Sequence, residues 1–137
     1  MLEKIDHIGI AVRSIEERER FYVEGMGLRI DEKALVPEQH ARIAIMRIGG
    51  IKLELVEPTD PSSPIAGFLN RRGEGIHHIC FEVKDIEDGK RKLERAGFKI
   101  VENASSVGYG GSKVLFIHPS VTGSVLYELV QHGTDKK

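Results

Sequence analysis

The 137-residue chain is about one domain long and carries a formal net charge of −1, with 40% hydrophobic and 30% charged residues. That balance supports a packed core under a charged surface and gives no electrostatic reason to expect nucleic acid or an anionic membrane as partner. The single cysteine, Cys80, excludes an intrachain disulfide, and with no bilayer-length apolar run and no signal-peptide pattern the expected compartment is the cytoplasm.

Residues 5–12 alternate as a strand, with Ile8, Ile10 and Val12 on one face and His7, Gly9 and Ala11 on the other. The small neighbours leave room around the imidazole. Ser14 and Glu17 form a capping box that starts a helix running to about Glu24, with Ile15, Phe21 and Tyr22 expected inside and Gly25 and Gly27 as the stop. Strands are expected over 28–34, 41–48 and 51–56, the last two joined as a hairpin through Gly49-Gly50. Val36-Pro37-Glu38-Gln39-His40 reads as a loop between the first two, because proline cannot donate to a ladder.

Residues 58–75 change composition and read as a connector, with about two helical turns after Pro64. The order then repeats. A strand covers 77–83, Asp85 caps a helix from Ile86 to about Ala96, Gly97 stops it, and strands follow at 98–101, 113–118 and 124–130. The glycine-rich stretch from Ser105 to Ser112 reads as a flexible loop. The chain is thus an α+β protein made of two duplicated βαβββ modules. It is expected to form a single domain with module 1 at about 5–57, the connector at 58–75 and module 2 at 76–131.

Duplication singles out four residues. His7 and His78 fall at the same point of the first strand of each half, and Glu54 and Glu128 at the same point of the closing Glu-Leu-Val. Each glutamate lies between apolar strand neighbours, so its carboxylate points away from them into the interior and needs a partner there. If a pseudo-twofold axis relates the halves, two imidazoles and two carboxylates converge, a donor set suited to Zn²⁺, Mn²⁺, Co²⁺, Ni²⁺ or Fe²⁺. His77 points to the other face from His78 and reads as structural or supporting. His40, His118 and His132 lack symmetric counterparts and read as surface or turn residues, and Cys80 reads as a small buried side chain.

These features resemble the vicinal oxygen chelate superfamily, and within it most closely the methylmalonyl-CoA epimerase family. The similarity runs from Asp6-His7-Ile8-Gly9-Ile10-Ala11-Val12 to Glu128-Leu129. Its most specific pieces are Ser63-Pro64-Ile65-Ala66-Gly67-Phe68-Leu69, His77-His78-Ile79-Cys80 and Phe116-Ile117-His118-Pro119. The resemblance implies a curved, incomplete barrel, a homodimer, a coenzyme A thioester substrate and one divalent metal ion (Co, Mn, Zn or Ni) held by His7, Glu54, His78 and Glu128. It implies epimerisation by removal and return of an α-proton through a metal-stabilised enolate. Glu128, and after it Glu54, are the expected proton carriers. Ile43 stands where some members carry a glutamate proposed as a base, with Glu38 and His40 as weaker substitutes. Arg71, Arg72 and Lys113 are candidate contacts for the substrate's phosphates. The alternatives are a glyoxalase I-like lyase on the same scaffold and a metal-free small-molecule-binding protein.

Overall fold

The computed structural model describes residues 1–102 and 106–133. Strand β1 (Leu2–Ala11) is followed by α1 (Ile15–Arg20), β2 (Glu32–Val36), β3 (Ala41–Ile48), β4 (Ile51–Pro58) and α2 (Pro64–Arg72). The second half supplies β5 (Gly75–Val83), α3 (Ile86–Arg95), β6 (Lys113–Ile117) and β7 (Tyr127–Gln131). The chain forms two compact units, one of His7–His77 and one of Met1–Asp6 with the chain from His78 onward. It passes from one to the other inside β1 and again inside β5.

In the unit of His7–His77, β4 is the central strand. It pairs parallel with β1 and antiparallel with β3, and β2 extends the sheet antiparallel on β3. The hairpin is the expected one: Ile48 faces Ile51 across Gly49-Gly50, and Gly49 takes φ +56°, a conformation favouring glycine. In the other unit β7 is central, parallel to β5 and antiparallel to β6. Helices cover one face of each sheet. Val12, Ile15, Ala44, Met46 and Leu55 make the core on the α1 side, and Val83, Ile86, Ile100, Leu115, Ile117 and Leu129 make the core around α3.

The two helices begin with the same device. Ser14 accepts from the Glu17 amide, and Asp85 accepts from the Glu87 and Asp88 amides, as the capping signals predict. A second cap comes from far along the chain: Glu57 accepts from the Ile15 amide at 2.8 Å, and Gln131 accepts from the Ile86 amide at 2.9 Å. Glu57 and Gln131 each stand three residues after the duplicated glutamate, so one strand end fixes both the helix start and the site residue. Helix α2 starts at Pro64 with Ser63 as its cap, which accords with the helical turns expected in the connector.

Four expectations are corrected. Phe21 is 59% exposed. Ile15 and Tyr22 are seven residues apart and share a helix face, which turns Phe21 outward, and the helix continues as a wider π-helical turn through Gly25. Strand β2 starts at Glu32 because Leu28 and Ile30 pack on the core instead of entering the ladder. Among the described residues, 98–101 make one bridge, Ile100 to Ile117, so the second half has one ladder strand fewer than expected. Strand β7 starts at Tyr127, after a turn in which Ser124 takes φ +77°. The 105–112 loop is described from Ser106, and a short 3₁₀ turn spans Tyr109–Gly111.

Two stability predictions follow from this packing. Leu55 is fully buried, so Leu55→Ala costs about 2–5 kcal/mol in a denaturant titration. The exposed Glu16 carboxyl is held at about 2, well below its ordinary 4.5, by hydrogen bonds first from Arg42 and then from Lys33. A lowered folded pKa gives stability that is full above about pH 4.5 and lost as pH falls toward 2. Glu16→Gln is therefore expected to flatten the pH dependence of the urea midpoint in that window, and high salt to weaken the same dependence in the wild type.

Candidate metal centre and its surroundings

Glu54 sits on β4 opposite Gly9 of β1, and Glu128 sits on β7 opposite Cys80 of β5. Gly9 and Cys80 each lie two residues after the duplicated histidine. The parallel register is therefore the same in both halves, and with side chains alternating along a strand it brings each histidine to its glutamate. His7 Nδ1 lies 3.6 Å from Glu54 Oε2, with side chains 10% and 11% exposed. His78 Nε2 lies 3.3 Å from Glu128 Oε1, with side chains 9% and 5% exposed. Two buried imidazole–carboxylate pairs result, one in each unit. The structure brings the expected site residues together as these two pairs.

The donor chemistry fits a divalent ion. Ligand bonds of about 2.0–2.1 Å in a tetrahedral shell set donors about 3.3 Å apart, close to the separation within each pair. Nitrogen and carboxylate oxygen without sulfur suit the first-row ions from Mn²⁺ to Zn²⁺. The pairs lie in apolar surroundings. Phe116 stands opposite Glu128 in the β6–β7 ladder, and its ring meets the His78 imidazole edge-on at 6.4 Å between centroids. Ile45 stands opposite Glu54 in the β3–β4 ladder, and Ile43 shares its face, both as buried apolar side chains.

His77 is half-buried and packs edge-on against Phe68 at 5.0 Å. Burial, reinforced by the positive charge of Arg71, pushes its imidazole down to about 4, which keeps it neutral at pH 7 in a packing role. His40 is exposed, takes φ +51° and pairs with Asp60 at 2.9 Å; Glu38 is also exposed. His118 caps the Pro119–Val121 turn by accepting from the Ser120 amide. Cys80 is fully buried among Val114 and Val130. Arg71 and Arg72 are exposed in the last turn of α2, with the Arg72 guanidinium 5.7 Å above the Phe68 ring, and Lys113 is exposed at the start of β6.

One expectation fails and one neighbour was not foreseen. His132, expected on the surface, is half-buried, and its Nε2 lies 2.8 Å from Oδ1 of the buried Asp6. A partnership across 126 residues leaves no local sequence signal. Phe116 beside His78 could have been found from its place in the Phe-Ile-His-Pro motif.

The profile of the Glyoxalase/Bleomycin resistance protein/Dioxygenase superfamily matches residues 6–116, and the chain belongs to that superfamily. Within it the similarity to methylmalonyl-CoA epimerases spans nearly the whole chain. The mitochondrial methylmalonyl-CoA epimerase of Bos taurus is 34% identical over 131 residues, which cover 95% of this chain and 75% of that protein. The crystal structure of methylmalonyl-CoA epimerase from Mycobacterium tuberculosis superposes with a TM-score of 0.90 at 32% identity, covering 96% of this chain and 89% of that one. A methylmalonyl-CoA epimerase solved in complex with methylmalonyl-CoA and NH4+ also has a TM-score of 0.90 at 32% identity, covering 98% and 97% of the two chains. The α+β class read from the sequence and its superfamily resemblance are thereby established. No helix among the described residues is long and apolar enough to cross a membrane.

If each pair supplies ligands, His7→Ala and His78→Ala are each expected to weaken retention of a divalent ion at least about tenfold. Metal analysis after dialysis checks this, and unchanged retention in both variants contradicts the assignment.

Proposed function

We propose that this protein epimerises methylmalonyl-CoA, interconverting its (R) and (S) forms, and that His7, Glu54, His78 and Glu128 are its metal ligands. The observation that supports this reading best is the duplicated pair. The same imidazole–carboxylate geometry recurs at the same register in both halves of a chain similar end to end to methylmalonyl-CoA epimerases. A homodimer and a cytoplasmic location belong to the same proposal.

Epimerisation at C2 requires a base to take the proton and an acid to return one on the opposite face. A divalent ion, when bound, supplies Lewis-acid stabilisation of the negative charge that develops on the thioester oxygen. Everything else falls to side chains. His7 and His78 are neutral-imidazole donors fixed on strands. Glu128 takes the C2 proton, Glu54 in its protonated form returns one to the opposite face, and proton exchange with solvent restores both carboxyl groups. Phe116, Ile43 and Ile45 keep the surroundings of the carboxylates dry, which strengthens electrostatic interactions there. The loss of a base at Ile43 concentrates proton transfer on the two strand carboxylates. Arg71, Arg72 and Lys113, all exposed, are the candidate contacts for the substrate's phosphates.

Replacing a positioned general base costs about 10²–10⁴-fold in rate. Glu128→Gln is accordingly expected to lose epimerisation by that factor while binding the thioester with little change in KM. Following (R)-to-(S) conversion in wild type and variant tests the proposal. Wild-type turnover of a glutathione hemithioacetal with no conversion of methylmalonyl-CoA would overturn the substrate assignment, and full activity in the variant would overturn the base assignment.

A further inference from the structure

A second cluster of metal-ligating side chains lies outside the duplicated pairs. Asp6, Glu82 and His132 each offer a donor atom, and those atoms all lie within 4.8 Å of one another. All three belong to the unit of Met1–Asp6 and the chain from His78 onward. Asp6 is buried, at 4% exposure, while Glu82 and His132 are half-buried. The cluster therefore has a dry side and a wet side.

Glu82 and His132 stand apart from the His78–Glu128 pair along their strands. Along β5, His78, Cys80 and Glu82 share one face, and along β7 and the residue after it Glu128, Val130 and His132 follow the same alternation. The middle members, Cys80 and Val130, pack with Val114 into an apolar layer. The His78–Glu128 pair stands before that layer and Glu82 and His132 stand beyond it. The duplication does not explain the second cluster, because the positions matching Glu82 and His132 in the first half hold Ala11 and Pro58.

We propose that Asp6, Glu82 and His132 bind a second divalent cation, Zn²⁺ by donor type, that clips β1 to β5 and to the residue after β7. One imidazole and two carboxylates give three protein ligands, and the half-exposed side leaves the fourth tetrahedral position to water. The hard ions Mg²⁺ and Ca²⁺ favour all-oxygen shells and fit less well. Asp6 Oδ1 and His132 Nε2 lie 2.8 Å apart. With zinc between them the two donors separate by about half an ångström to reach the spacing of a tetrahedral shell. Asp6 and His132 are 126 residues apart. An ion bound only by the folded chain stabilises it by mass action.

Zinc titration of the untagged protein, with bound zinc counted by equilibrium dialysis, tests the proposal. The wild type is expected to hold one zinc more per chain than either His132→Ala or Glu82→Gln, and its thermal midpoint to rise with zinc more than theirs. Glu82→Gln alters a half-exposed side chain and keeps the test valid if His132→Ala folds poorly. His78→Ala serves as the reference for the first site. The second site is read from the difference of one between wild type and the Glu82 and His132 variants, whether the total falls from two to one or from one to none, so failure of the first site does not mask it. Equal zinc in wild type, Glu82→Gln and His132→Ala would overturn the proposal and leave Asp6–His132 a hydrogen-bonded pair.

Discussion

A carboxylate buried in an apolar strand is stable only beside a positive or hydrogen-bonding partner, and this chain meets that requirement twice in the same way. Glu54 and Glu128 occupy the central strand of their units, where no edge gives them access to water. Parallel pairing with β1 and β5 supplies an imidazole to each. Much else follows from holding that register. The residue three positions after each glutamate caps the helix on the sheet's other face, so a slip of β4 or β7 would break the helix start together with the site.

The two faces of each sheet thus divide the work. The helix-covered face carries the apolar burial, with Leu55 and Leu129 fully buried beside the glutamates that point the other way. The opposite face carries the polar chemistry, insulated by Ile43 and Ile45 in one unit and by Phe116 and the Cys80 layer in the other. Strands hold side chains more rigidly than loops, which suits ligands that must meet an ion within a few tenths of an ångström.

The features legible in the sequence were those with a local cause. Alternation marked β1, β3 and β5; Ser14 and Asp85 announced the helices; Gly49-Gly50 gave the hairpin; and the repeat picked out His7, His78, Glu54 and Glu128. What escaped depended on the rest of the fold. Phe21 turned outward because the helix face was set by Ile15 and Tyr22. Residues 98–101 kept one bridge, Ile100 to Ile117, flanked by the Val101–Phe116 and His118–Lys99 backbone hydrogen bonds, and did not extend into a full strand. The Asp6–His132 contact joins two positions that no periodicity relates. Glu57 and Gln131 as helix caps were equally invisible, since each serves a helix some 42–45 residues earlier.

The central proposal is that His7, Glu54, His78 and Glu128 are metal ligands, and anomalous diffraction from crystals grown with Co²⁺ tests it directly. The account predicts a strong peak about 2.0–2.2 Å from donor atoms of these residues. No peak at either pair would contradict it.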